Sequence, residues 1–232
     1  HQRLLMEVVY EAIESAGYNV DHFSGTATAL FVACPELKYY EHLDDISQSD
    51  TTTFTGNMSG MTAGRIARFF NFYGNALVVD TSCSSSLVAI AQACNELILK
   101  NADYAVACGV QLWLFPGDRS ADPNDIGITS SNGKVEAFSA NANGTNNGEA
   151  VGSVLLKPMD KAIADKDLIY AVIKGAGVNQ DAQRSSFLTA PSSVAQAEAI
   201  KIAWRKAGIK PESVTLIEAH GTGTKIGDPI EI

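Results

Sequence analysis

The stretch Asn75–Leu97, "NALVVDTSCSSSLVAIAQACNEL", decides the fold. An apolar run ends at Asp80 and Thr81, and a helical pattern of apolar residues begins a few positions later. Between them Cys83 stands among Ser82, Ser84, Ser85 and Ser86. A strand that turns at once into a helix belongs to a sheet covered by helices, and the seam marks the carboxyl end of that strand. A thiol in the seam lies beside backbone N–H groups that have no partner within the helix.

The same alternation extends outward. "DYAVACGV", from Asp103 to Val110, predicts a second buried strand, so strand, helix and strand form a parallel βαβ unit. Upstream, "TALFVAC" (Thr28–Cys34) predicts a strand and "SGMTAGRIARFF" (Ser59–Phe70) a helix. Leu4, Leu5, Val8, Val9, Ala12 and Ile13 fall on one face of an opening helix that Gly17 stops. Downstream, "VGSVLLKPM" (Val151–Met159) and "LIYAVIKGAGVNQ" (Leu168–Gln180) predict a strand pair. "SVAQAEAIKIAWRKAG" (Ser193–Gly208) then predicts a helix and "SVTLIEAH" (Ser213–His220) a strand. The fold class is α/β. From Leu114 to Gly148 the chain is rich in Asn, Asp, Ser, Gly and Pro. Its spaced Phe115, Ile126, Ile128, Val135 and Phe138 predict an ordered, packed loop.

Composition excludes several classes of function. The formal charge of −9 disfavours nucleic acid or an anionic membrane as main partner. No apolar run reaches the length of a membrane span, and the first helix is amphipathic, unlike a signal peptide. Four cysteines without CxxC or Cys/His ligand spacing predict neither a disulfide framework nor a metal site. The expected setting is the reducing cytoplasm.

The chemistry centres on Cys83. A helix start relieves part of the cost of ionising a thiol, and small neighbours admit a substrate carbonyl to the sulfur. The N–H of Cys83 is placed to donate to an oxyanion formed there. Cys34, Cys94 and Cys108 lie inside apolar elements and read as small core residues. Of the histidines, His1, His22 and His42 fall at the chain end or in polar sequence and read as solvated surface. His220 closes an apolar strand and opens "GTGTKIGDP", so it too falls at the carboxyl end of a strand. A nucleophilic cysteine served by this histidine is the favoured reading. The spacing of Cys83 and His220 also lies inside the roughly 130–150 residue gap of papain-like proteases, but the Cys-Gly-Ser-Cys-aromatic signature is missing. That reading stays the minor one. A phosphate loop is rejected, because "GTGTKIG" is out of register with GxGxxG and no Walker lysine is present.

"VVDTSCSSSLVA" and "EAHGTGTKIGDPIE" resemble the two signature blocks of the β-ketoacyl synthase (ketosynthase) domains of modular type I polyketide synthases. "HQRLLMEVVYEAIESAG", "FTGNMSGMTAGRIA", "VLLKPMDKAIADKDLIYAVIKGAGVNQDAQ" and "LTAPSSVAQAEAI" match further family segments in the right order. The resemblance implies a thiolase-like fold, two βα halves related by a pseudo-twofold in layered αβαβα order, assembled as a homodimer. It divides the chain into residues 1–160, most of the half carrying the nucleophile, and 161–232, the start of the half carrying the first histidine. It implies an acyltransferase in which Cys83 accepts an acyl chain from an acyl carrier protein. A malonyl-type unit on a carrier then loses carbon dioxide, and its enolate attacks the acyl-Cys83 carbonyl. His220 would stabilise the enolate. Thr222 and Thr224 match threonines that hydrogen-bond the phosphopantetheine arm, and Asp228 and Glu231 match supporting positions, Glu231 equally readable as a simple capping carboxylate. No cofactor is bound covalently; substrates arrive on carrier phosphopantetheine, and neighbouring synthase domains such as an acyltransferase are the implied partners.

Departures from the family pattern are informative. The family's second histidine and its glycine-rich loop fall past Ile232 and its leading strand falls before His1, so the resemblance implies a partial sequence truncated at both ends. Phe138-Ser139 stands for a Phe-Asp pair, Gly148-Glu149-Ala150 for Gly-Glu-Gly, and Ser130-Ser131-Asn132-Gly133 for Ser-Pro-Asp-Gly. These changes leave open a non-elongating domain that only transfers acyl chains. A fatty acid synthase condensing domain is the metabolic alternative.

Overall fold

The computed structural model describes residues 1–37, 39, 50–113 and 128–232. His42, Phe115 and Ile126 lie outside the described residues. The chain forms two compact units, one of residues 1–112 with 149–172, the other of residues 113–148 with 173–232.

Strand β1 (Thr28–Ala33) is the centre of the first unit, and all six of its residues are buried. It pairs in parallel with β2 (Ala76–Val79) on one side and β3 (Tyr104–Gln111) on the other. Strand β4 (Ala150–Leu156) runs antiparallel along β3, giving the order β2-β1-β3-β4. Helix α4, Ser85–Ile98, links β2 to β3. The two strands of the predicted βαβ unit are therefore both parallel to β1 but are not neighbours, since the crossover spans β1.

After Thr28 the run "ALFVA" is apolar without a break because β1 is covered on both faces. Leu30, Val32 and Cys34 pack with Leu5, Val9 and Ile13 of α1 (Gln2–Ser15) and with Ile66 and Phe70 of α3 (Ser59–Phe70). Ala29, Phe31 and Ala33 face Ala89 and Ala93 of α4. Nearly all of that second cluster is alanine, so helix and sheet meet closely, and the strand-to-helix turn after β2 is held against the sheet. Burial pushes the Cys34 thiol up to about 11 and the Cys108 thiol up to about 12, in keeping with core residues.

A short helix α2, Thr51–Asn57, is capped by Asp50, whose Oδ1 accepts from the Thr53 N–H at 2.8 Å. After β4, α5 spans Met159–Asp165. Around it Lys157 Nζ donates to Asp165, to Asp167 Oδ2 at 2.7 Å and to the Tyr18 hydroxyl at 2.8 Å. Burial pulls the ammonium down, but Asp165, Asp167 and Tyr18 together hold it above the ordinary lysine range. Hydrogen bonds from Lys157 and Tyr18 hold the Asp167 carboxyl below the usual carboxylate range. A depressed carboxyl stabilises the fold above its unfolded value of about 4 and loses that contribution as pH falls through the folded value. Lys157→Met is expected to cost about 2 kcal/mol at neutral pH, from the charge-assisted hydrogen bonds it removes, while Tyr18 still donates to Asp167. Urea denaturation at pH 7 and below pH 4 checks this, the gap between variant and wild type narrowing in acid.

In the second unit, α6 spans Ser193–Ala207 and α7 spans Gly227–Glu231. The Ser192 hydroxyl caps α6 on the Ala195 N–H, and Gly208, with φ 63°, ends it. Gly177 lies so close to α6 that a Cβ there would come within 2.0 Å of the Ala199 carbonyl oxygen.

Two predicted strands are corrected. Val151–Met159 does contain a strand, β4, but its partner is β3 and not Leu168–Gln180. Neither Leu168–Gln180 nor Ser213–His220 forms a ladder among the described residues. Tyr170, Leu216 and Ile217 in these segments are exposed. A strand is stable only through a neighbour's N–H and C=O groups, and an apolar run by itself does not supply one.

Candidate active site

The thiol's surroundings are built from the turn between β2 and α4. Ser84 is the N-cap of α4, so Cys83 stands one residue ahead of the cap rather than in the first helical turn. Its side chain is exposed. Ser82 just before it is left-handed, with φ 55°, a conformation that costs a non-glycine residue about 1–2 kcal/mol. The bend is tied on all sides. The Ser82 N–H donates to Asp80 Oδ1 at 3.1 Å, and the Ser82 carbonyl accepts from the Ser85 N–H at 3.0 Å and the Ser85 hydroxyl at 2.6 Å. Ser85 Oγ also accepts from the Thr81 N–H at 2.8 Å, and Ser84 Oγ donates to the Thr81 carbonyl at 2.9 Å. At about 1 kcal/mol for each bond, this network offsets the strain. The serines were expected only to leave room for a substrate. Ser84 and Ser85 in addition hold the bend.

The histidine's surroundings lie in the second unit. His220 is exposed, and its backbone N–H donates to Glu231 Oε1 at 2.5 Å. The other Glu231 oxygen accepts from the Gly221 N–H at 2.8 Å. Glu231 is therefore a fork on two consecutive amides, a capping role extended to the residue that carries the imidazole. Asp228, one turn earlier, is buried and joins two amides that are far apart in sequence. Its Oδ1 accepts from the Gly223 N–H at 2.9 Å and its Oδ2 from the Phe138 N–H at 2.6 Å. Thr222 and Thr224 hydroxyls lie 2.9 Å apart, and Thr224 Oγ1 accepts from the Gly227 N–H at 2.9 Å. Two hydroxyl protons serve one mutual bond, so one proton is left to donate to a ligand.

The described part of the polar loop, residues 128–148, is held by hydrogen bonds more than by the apolar packing expected. Ile128, Val135 and Phe138 are between two-fifths and one-half exposed. The Gly144 N–H donates to the Gly223 carbonyl at 2.9 Å, and a Cβ on Gly223 would come within 2.9 Å of the Gly144 carbonyl oxygen. Gly223 also has φ 68°, so the second glycine of "GTGT" is required twice over. Two of the three departures from the family pattern keep an acceptor. Asn132 Oδ1 accepts from the Lys134 N–H at 3.0 Å, and Ser139 Oγ from the Asn141 N–H at 3.2 Å. An oxygen remains where the family pattern has aspartate.

Cys83 thus belongs to the first unit, while His220, Thr222, Thr224, Asp228 and Glu231 are brought together in the second. Sequence reading missed Asp80 and Ser85 as the ties of the bend. The signal available was a serine two residues after the cysteine at a helix start, too common a pattern to single out.

The strand-to-helix cysteine of the α/β first unit and the His-Gly-Thr-Gly-Thr turn of the second are features of the thiolase-like class. Comparison with solved structures agrees. The ketosynthase from module 6 of the bacillaene synthase of Bacillus subtilis 168 superposes with a TM-score of 0.89 at 37% identity, over 99% of this chain and 39% of that one. The ketosynthase from module 1 of the bacillaene synthase of Bacillus amyloliquefaciens FZB42 gives 0.90 at 35% identity, over 99% and 41%. The family model for the β-ketoacyl synthase N-terminal domain matches residues 1–162, and that for the C-terminal domain matches residues 170–232. The chain belongs to the β-ketoacyl synthase family. Among curated relatives, a phenolphthiocerol/phthiocerol polyketide synthase of Mycobacterium tuberculosis is 43% identical over 231 residues, 99% of this chain. The hybrid PKS-NRPS synthetase xenE of Xenoacremonium sinensis is 40% identical over 235 residues, again 99% of this chain. The chain spans 15% and 6% of the length of these two relatives.

Proposed function

We propose that the chain carries the acyl-accepting cysteine and one enolate-binding histidine of a polyketide ketosynthase. The observation that supports this most is Cys83, exposed on a tied, left-handed bend at the carboxyl end of a strand. In the first stage the thiolate of Cys83 attacks the acyl thioester of an acyl carrier protein. The carrier's phosphopantetheine thiolate leaves and takes up the proton that the Cys83 thiol gave up on ionising, and an acyl-Cys83 thioester forms. In the second stage a malonyl-type carrier thioester loses carbon dioxide, and the electron pair of the broken C–C bond becomes the enolate. That carbon attacks the acyl-Cys83 carbonyl, the Cys83 thiolate departs, and a β-ketoacyl thioester two backbone carbons longer remains on the carrier. The costly species is the enolate oxygen, for which an N–H of the exposed His220 imidazole is a donor. The free hydroxyl proton of the Thr222–Thr224 pair serves the phosphopantetheine amides. Asp228 and Glu231 hold the turn that presents all three residues. The boundary between the two family halves falls near residue 160 in this reading.

The assembly we infer is a homodimer working beside other synthase domains. Strand β2 is at the sheet edge, with Leu77 on it exposed and Phe69 and Tyr73 exposed just before it. Such an edge is a template for pairing with a second copy. Cys34, Cys83, Cys94 and Cys108 are all free thiols, which suits a cytoplasmic setting. Among the described residues, no helix is long and apolar enough to cross a membrane.

The test is turnover with an acyl carrier and a malonyl carrier, read by mass spectrometry of the carrier-bound product. A β-ketoacyl thioester with release of carbon dioxide is expected. His220→Ala should leave acylation of Cys83 in place and slow condensation by about 10²–10³-fold. Accumulation of acyl-Cys83 with the malonyl carrier untouched would overturn condensation in favour of transfer alone.

A further inference from the structure

Ser85 has no part in the two chemical stages above, yet its hydroxyl touches the backbone at two points, the Thr81 N–H and the Ser82 carbonyl, just ahead of the thiol. Ser82 is left-handed although it is neither glycine nor asparagine. Ser85 Oγ accepts from the Thr81 N–H at 2.8 Å and donates to the Ser82 carbonyl at 2.6 Å. One hydroxyl thus joins the residue before the bend to the bent residue itself. Asp80 completes the tie through the Ser82 N–H.

We propose that Ser85 is a positioning residue for Cys83: its hydroxyl keeps Ser82 left-handed and so fixes the direction in which the Cys83 side chain leaves the backbone. This rests on the reading of Cys83 as the acyl acceptor. The plainer role, a serine that merely starts a helix, makes a different claim. The backbone bond from the Ser85 N–H to the Ser82 carbonyl and the Ser84 cap position do not need the hydroxyl. Without it the helix start survives, but Ser82 can relax into the right-handed or extended regions open to an ordinary residue. A displacement of about 1 Å at a reacting atom costs on the order of 10²-fold in rate.

The experiment follows acylation of the protein by an acetyl-pantetheine thioester, as single-turnover rate against thioester concentration, with peptide mapping of the adduct. Ser85→Ala should lower the saturating rate by about 10²-fold with the half-saturating concentration unchanged. Ser85→Thr, which keeps the hydroxyl, should retain most of the rate. Ser82→Gly placed in the Ser85→Ala background should recover most of the loss, because glycine adopts the left-handed conformation without cost. An alanine variant that acylates at the wild-type rate would overturn the proposal. So would a loss that accompanies a lowered melting temperature and that Ser82→Gly does not restore, since that is the signature of a structural residue. An adduct that persists in Cys83→Ala would instead overturn the nucleophile assignment on which the proposal stands.

Discussion

Cys83→Ala is expected to abolish acyl transfer to the protein, lowering adduct formation by at least about 10³-fold while leaving the fold intact. The side chain is exposed, so the substitution removes no buried packing. The bend itself is held by Asp80, Ser84 and Ser85 and does not involve the sulfur. Peptide-level mass spectrometry after incubation with a short acyl-pantetheine thioester checks it. The wild-type adduct should fall on the peptide containing Cys83 and on none containing Cys34, Cys94 or Cys108. Cys34 and Cys108 are buried, and burial pushes all three thiols up, away from the nucleophilic form. Selectivity among four thiols on one chain therefore follows from where the fold puts them.

Asp228→Ala is expected to be the most damaging single change in the second unit, at about 3–5 kcal/mol, since one buried carboxylate holds two charge-assisted bonds worth about 1.5–3 kcal/mol each. It accepts from Gly223 and Phe138, two amides far apart in sequence, and alanine leaves both donors without a partner. Both donor residues are left-handed, Phe138 at 59° and Gly223 at 68°, so the two bonds to Asp228 also hold this backbone conformation in place. Asp228→Asn should lose about half as much, because its amide oxygen still serves one donor while its NH₂ meets the other. Trp113 and Trp204 both lie in the second unit, and tryptophan fluorescence in urea therefore reports on it directly. Amide exchange at residues 221–224 should rise in parallel, since the turn loses its anchor to the polar loop.

The elements around Cys83 were legible in the sequence because each rests on local chemistry. "ALFVA" is apolar without interruption, as a doubly covered strand requires, and the "SGMTAGRIARFF" pattern places Thr62, Ala63, Ile66, Ala67 and Phe70 on one buried face. The segments that misled are those whose state depends on a neighbour. "LIYAVIKGAGVNQ" and "SVTLIEAH" have the apolar, β-branched composition of strands, yet no ladder forms there among the described residues. Composition reports what a segment can become, and pairing decides whether it does.

The sequence by itself determined the α/β class and the family, and it singled out as candidates Cys83, His220 and the threonines Thr222 and Thr224. Those follow from residue types at short spacings, which carry their chemistry with them. Only the tertiary structure decided the sheet order, with β1 inserted between the two strands of the crossover, and the antiparallel return of β4 onto β3. It also decided that Asp228 is an anchor between two loops, that Glu231 is a fork on His220 and Gly221, and that Ser85 ties the bend beneath Cys83. A hydrogen bond between distant residues leaves little mark on either stretch of sequence, because many residue types can accept at a given position. Which one does is set by where the fold brings the donor.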